Sequence, residues 1–192
     1  WPEDLDYAGK RIVVIGSGAT AVSLVPALAR SAGHVTMLQR SPGYLFSMPR
    51  VNRFYKLLRQ VMPNRASYAV IRSMALIFEK VMWVFARRFP QAVRKFVRRQ
   101  NVTMLPAGYP VDVDFKPRYK PWDERMCLVA DGDVFEEISK GTLEVVTDHV
   151  DHVDETGIAC ASCRHIDADI IVTATGLQLQ ALGGVRITLD GN

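Results

Sequence analysis

Two glycines separated by one residue, Gly16 and Gly18, follow directly on the apolar run Ile12-Val13-Val14-Ile15. Behind them Val22, Val25 and Ala29, with Leu24 and Leu28 alongside, recur at helical spacing. A glycine turn between a strand buried on both faces and the start of a helix is suited to holding a pyrophosphate. The first glycine permits the tight turn and the second lets backbone approach the anion. Ala21 takes a third position, where a small residue lets helix lie close on strand. Free N–H groups and the helix dipole then favour negative charge at the helix N-terminus. The loop Gly16, Ser17, Gly18, Ala19, Thr20 and Ala21 is therefore a candidate dinucleotide cradle. A bare glycine turn can also serve packing alone, so the flanking strand and helix carry the nucleotide reading.

The residues after the next strand select the nucleotide. His34 to Leu38 reads as that strand, and Gln39, Arg40 and Ser41 follow, with no Asp or Glu from His34 to Tyr44. A site for NAD would place an acid there to accept from the ribose 2′-hydroxyl. Arg40 instead offers a forked guanidinium to a 2′-phosphate, with Ser41 beside it. A charge-assisted hydrogen bond of this kind is worth about 1.5–3 kcal/mol, roughly ten- to hundredfold in affinity. NADPH is the expected ligand; the plain alternative for Arg40 is a solvated surface arginine.

The elements that must position these residues can be read around them. Residues 10–44 form a βαβ unit, with Pro26 a misfit in its helix that predicts a kink or a bond-sparing position. Asp133 with Glu136 gives a capping-box pattern opening a short helix that Gly141 would end. Leu143 to Thr147 reads as a strand, Val150 to Val153 and Ile158 to Ala161 as a hairpin about "DETG", and "DIIVTATG" as a buried strand entering a glycine turn. The fold class expected is α/β, a Rossmann-like parallel sheet in which a β-hairpin replaces one helical crossover. Residues 106–176 would supply the rest of that sheet.

The 192 residues, 48% hydrophobic and 23% charged, have material for one cored domain and exclude a disordered chain. The formal charge of +4 conceals an asymmetry. Between Arg50 and Arg99 thirteen basic residues face the single acid Glu79, a local +12 that leaves −8 elsewhere. That stretch has no glycine, so residues 45–105 read as a basic α-helical insertion. "MALIFEKVMWVFARRF" is apolar, but Arg72, Glu79 and Lys80 interrupt any span of the ~20 residues a bilayer requires. Arginines beside Trp83, Phe85, Phe89 and Phe96 suit a helix face that packs on another domain, or one that lies on an anionic membrane surface. Since charge runs on helices are commonly solvated faces, packing is preferred, and nucleic-acid binding is the weaker use of this charge.

Cys127, Cys160 and Cys163 are an odd number without a signal peptide, so a cytoplasmic setting is expected, with peripheral membrane contact the variant the insertion admits. Cys160-x-x-Cys163 with His149, His152 and His165 nearby has zinc or redox spacing. No second Cys pair accompanies it, and Arg164 excludes haem attachment, so no metal is expected. The chain starts at Trp1 rather than Met and stops just after an apolar segment, Val185 to Leu189, has begun, which reads as a piece cut from a longer protein.

The segments "GKRIVVIGSGATAV", "HVTMLQRSPGY", "RYKPWDERMCLVADGDVF" and "ADIIVTATGL", in this order, closely resemble the NADPH-binding domain of flavin-dependent Baeyer-Villiger monooxygenases, particularly the ethionamide-activating type. The likeness covers nearly the whole chain; Trp1-Pro2 matches the end of the family fingerprint. It implies a two-dinucleotide flavoprotein in which NADPH reduces FAD and a peroxyflavin formed with O₂ oxidises a ketone or sulfide. FAD would be bound mainly by a domain outside this chain, so the chain alone would be inactive. Ala174, Thr175 and Gly176 resemble the cofactor-contacting link back to that domain, and residues 177–192 the start of the return. Arg125 matches the family's active-site arginine, the one catalytic candidate, whose bland alternative is a salt bridge to Asp123 or Glu124. Many relatives carry Lys before that arginine as a second 2′-phosphate clamp; Glu124 stands here, with Lys120 a weak substitute. Two alternatives stay open: the NADPH domain of another two-dinucleotide flavoprotein, such as an N-hydroxylating monooxygenase or disulfide-reductase relative, and a non-catalytic NADPH-sensing or membrane-surface module.

Overall fold

The computed structural model describes residues 2, 4–51, 53–124, 126–177, 180–185 and 188. Its elements run β1 (Arg11–Ile15), α1 (Ala19–Ala29), β2 (His34–Gln39), β3 (Tyr44–Met48), α2 (Arg53–Val61), α3 (Asn64–Arg88), α4 (Pro90–Met104) and α5 (Val111–Asp114). Then follow β4 (Met126–Ala130), α6 (Asp133–Lys140), β5 (Leu143–Thr147), β6 (Val150–Val153), β7 (Gly157–Cys160), β8 (His165–Asp167), β9 (Ile170–Thr173) and a 3₁₀ turn at Ala181–Gly184.

The main sheet has the order β5-β2-β1-β9, and every pair in it is parallel. Strand residues alternate between two covered faces, which is why these strands read as unbroken apolar runs. Ile12, Val14, Met37 and Val145 join Val22, Val25 and Leu28 of α1 and Phe135 and Ile138 of α6 in the larger core. Val13, Leu38 and Val146 face the other way, onto Ile158, Cys160 and Ile166. The antiparallel sheet β6-β7-β8 therefore covers the face that a crossover helix would cover. The expected hairpin is thus a three-stranded meander, whose third strand is only three residues, too short to show period-two patterning.

Two local expectations change. The insertion was expected to begin at residue 45, but Tyr44–Met48 is a strand, paired in parallel with Met126–Ala130 from Tyr44 opposite Met126 to Met48 opposite Ala130. Aromatic and apolar residues suit it for a sheet, and its partner is too distant in sequence for local pattern to reveal. The capping box is offset by one: Gly132, at φ 80°, is the N-cap and Asp133 the first helical residue. The Asp133 carboxylate accepts from the Val134 N–H at 2.9 Å. Gly141 ends α6 in the left-handed conformation, as expected. Pro26 sits inside α1 with its ring buried, and the helix continues to Ala29.

The insertion packs on the sheet domain through α4 and the C-terminal end of α3. Val93 and Val97 of α4 and Ala86 of α3 pack on Tyr44. Arg94 Nε donates to the Tyr44 hydroxyl at 3.0 Å and its Nη2 to the Tyr119 carbonyl at 2.8 Å. Gln100 and the Ser47 backbone exchange hydrogen bonds of 2.9 and 3.1 Å. On α3, by contrast, Ser67 and Ala86 are the buried residues, while Leu76, Ile77 and Phe78 are more than half exposed. No described helix is long and apolar enough to cross a membrane.

Candidate functional site

The C-terminal ends of the four parallel strands open on one crevice of about 500 Å³, the position at which open α/β sheets take ligands. Gly16 to Thr20 form its floor; Leu38, Arg40 and Ser41 come from the end of β2, Asp148 and His149 from the end of β5, Val150 from the start of β6, and Ala174, Thr175 and Gly176 from the end of β9. Backbone bonds fix these ends to one another. The Gly16 N–H donates to Leu38 at 2.8 Å, Ala174 to Ile15 at 2.8 Å and Asp148 to Gln39 at 2.9 Å.

The two glycines are required for different reasons. Gly16 adopts φ +129°, and a Cβ there would stand 2.4 Å from the Ala174 carbonyl oxygen, so the fold itself demands glycine. Gly18 has φ −77°, which any residue tolerates, and a Cβ there would meet nothing within 4 Å. It leaves open space at the N-terminus of α1, whose cap makes no side-chain hydrogen bond and whose first turn carries no acid. A cradle that a Cβ would fill, lined by amides at a helix start whose first turn carries no acid, fits a pyrophosphate.

The crevice gathers every residue of the expected cradle and clamp except Ala21, along with Ala174 to Gly176. Ala21 is fully buried at the contact of α1 with the sheet, where its size matters rather than its contact with ligand. Arg40 and Ser41 are exposed at the rim. Arg125 lies outside the described residues; of its two suggested partners, Asp123 is engaged by Arg87 Nη1 at 3.1 Å. A second cavity of about 400 Å³ adjoins the first through Ser17, Gly18 and Ser41, and Glu124 lines it with Tyr119 and Cys127. Lys120 is exposed and lines neither cavity.

Two features escaped sequence reading. Gln39 stood out only as a residue that is not an acid. Its buried amide donates to the Asp114 carbonyl at 2.8 Å and to Thr147 Oγ1 at 2.9 Å, and Thr147 donates to Asp114 Oδ1 at 2.7 Å. Tyr109 donates to the other oxygen at 3.0 Å. This network ties the end of β2, and with it Arg40, to the end of β5. Burial raises Asp114 above the usual carboxylate range against the pull of these donors. The second feature is the wall Asp148-His149-Val150, brought in by sheet order. The Ser162 hydroxyl donates to one Asp148 oxygen and the His149 N–H to the other at 2.7 Å, and these bonds hold the carboxyl below its ordinary pKa.

Cys160 is buried and Cys163 exposed at the left-handed end of a turn closed by the Cys163 N–H to Cys160 carbonyl bond of 2.9 Å. Among the described residues no three His, Cys, Asp or Glu side chains converge as metal ligands.

No family model matches the chain. All 192 residues align with the FAD-containing monooxygenase MymA of Mycobacterium tuberculosis at 48% identity over 39% of that protein's length. EthA of Mycolicibacterium smegmatis, also named as an FAD-containing monooxygenase, matches at 48% over 39% of its length. The chain thus spans about two fifths of these relatives. Among solved structures, an oxidized steroid monooxygenase bound to NADP superimposes with TM-score 0.69 over 92% of this chain and 40% of that one, at 21% identity, which supports the α/β architecture.

Proposed function

We propose that this chain, which belongs to the FAD-containing monooxygenases along the whole stretch it shares with them, is their NADPH-binding module. The single observation that carries the reading is the convergence of the glycine loop with Arg40 and Ser41 on one crevice at the ends of parallel strands. In this reading backbone amides from Ser17 to Thr20 hold the pyrophosphate, and Arg40 and Ser41 hold the 2′-phosphate. Ala174 to Gly176, on the β9 side, face the nicotinamide half. The steroid monooxygenase, described as bound to NADP, lends support through its shared fold. NADPH supplies hydride, and FAD, bound mainly by the part of the relatives that this chain does not match, supplies the oxygen chemistry that would act on a ketone or sulfide. Arg125 would provide fixed positive charge near the reacting centre. The other partner in this reading is the flavin-binding domain itself, covering the exposed apolar side chains of α3; an anionic membrane surface is the rival cover.

Calorimetric titration with NADPH and NADH tests the clamp. NADPH is expected to bind roughly ten- to hundredfold more tightly, with the advantage abolished by Arg40→Ala. Equal affinities in the unmodified protein would remove the 2′-phosphate assignment.

A further inference from the structure

The crevice has a wall whose chemistry is not used by phosphate or ribose. Asp148, His149 and Val150 line it from the turn between β5 and β6. In the sheet order β5 neighbours β2, which carries Arg40, whereas β9 and its Thr175-Gly176 turn lie on the far side of β1. With the 2′-phosphate at Arg40, the adenine half of the dinucleotide therefore falls on the β5 side and the nicotinamide half on the β9 side. Asp148 is a carboxylate at that first end, half-buried and fixed in place by Ser162 and the His149 amide. An ionised carboxylate only accepts hydrogen bonds, and each oxygen can accept more than one. Facing an anionic ligand, such a group is an electrostatic liability unless the ligand presents a donor to it.

We infer that Asp148 selects adenine by accepting a hydrogen bond from its 6-amino group, with His149 and Val150 offering flanking surface for the ring. The inference rests on the nucleotide reading of the crevice and adds a base specificity that the phosphate clamp cannot supply. A purine with an oxygen at position 6 would place an acceptor against the carboxylate and be disfavoured, since two facing acceptors make no hydrogen bond.

The experiment compares NADPH with its hypoxanthine analogue, which differs only in the 6-oxo group and its attendant ring proton, by calorimetry on the protein at its native length. The unmodified protein should bind NADPH roughly ten- to hundredfold more tightly than the analogue. Asp148→Asn, which keeps the shape and gains an amide donor, should shrink or invert that ratio, and Asp148→Ala should bring it near unity. Unchanged melting temperatures and an unchanged preference for NADPH over NADH would show that the variants retain the rest of the site. Equal binding of NADPH and the analogue by the unmodified protein, or a ratio unmoved by both substitutions, would overturn the adenine assignment and leave the NADPH reading standing. Failure of both nucleotides to bind would overturn the NADPH reading and this inference with it.

Discussion

The sheet and the helical insertion solve opposite problems with similar amino acids. Val13, Val14 and Phe135 are wholly excluded from water by neighbours within the chain, whereas Leu76, Ile77 and Phe78 on α3 are 57%, 64% and 55% exposed. A helix apolar around most of its girth is ordinarily a buried one. The sheet finds its core within the chain, while α3 carries apolar surface that nothing among the described residues covers. The site follows the same division: the crevice is built by elements packed into the chain's own core, and the exposed apolar side chains of α3 lie apart from it.

The largest contrast should come from removing one phenylalanine ring in each region. Phe135→Ala is expected to cost about 3–5 kcal/mol in urea unfolding, as for a phenylalanine removed from a filled core. Phe78→Ser should stay within about 0.5 kcal/mol in the 192-residue chain. The same change should become clearly destabilising in the longer protein if its flavin-binding part covers α3. Similar costs at the two positions in the short chain would break the contrast. A smaller effect separates the two glycines within the loop. Gly16→Ala meets both a forbidden φ and the Ala174 carbonyl, and should lower stability by about 1–3 kcal/mol. Gly18→Ala should leave stability within about 0.5 kcal/mol yet weaken NADPH binding roughly ten- to hundredfold, because its methyl occupies the cradle. Loss of stability without loss of affinity at Gly18 would assign that glycine to packing.

The smallest effect lies at the opposite end of the sheet. Arg11 Nη2 pairs with Asp169 at 2.9 Å and its backbone N–H donates to the other oxygen at 2.8 Å, joining the starts of β1 and β9. The arginine's side-chain hydrogen bond, followed by that of its backbone, holds the Asp169 carboxyl at about 2, below its ordinary 3.8. A depressed carboxylate contributes stability that is present above the unfolded pKa and lost as protons return to it. Melting temperature should therefore fall for this reason between about pH 4 and pH 2, and Asp169→Asn should flatten that limb. Identical acid limbs in the two proteins would show that the clasp contributes nothing.

How much was legible depended on how locally each feature is encoded. β1, α1, β2, β5 and β9 announce themselves because their strands are written as largely apolar runs and α1 keeps helical spacing, although β9, expected to be buried, is a half-exposed edge strand. That the glycine turn and Arg40 would meet could be read because they stand at fixed distances from those runs, and both line the crevice. The pairing of Tyr44–Met48 with Met126–Ala130 could not, since it is decided by tertiary contact with α4 and by a partner on the far side of the insertion. Gln39 and Asp148 were hidden for a related reason. Their importance comes from β2 and β5 lying side by side, a fact of sheet order that neither residue's neighbours record. The capping box failed by a single residue because Gly132 was free to take the left-handed turn itself.

Crystals grown or soaked with NADPH, or with its oxidised form, give the most direct test of the central claim. Difference density should place the pyrophosphate over Ser17 and Gly18, with the 2′-phosphate against Arg40 and Ser41. Density for the dinucleotide elsewhere, with the loop at Ser17 empty, would contradict it.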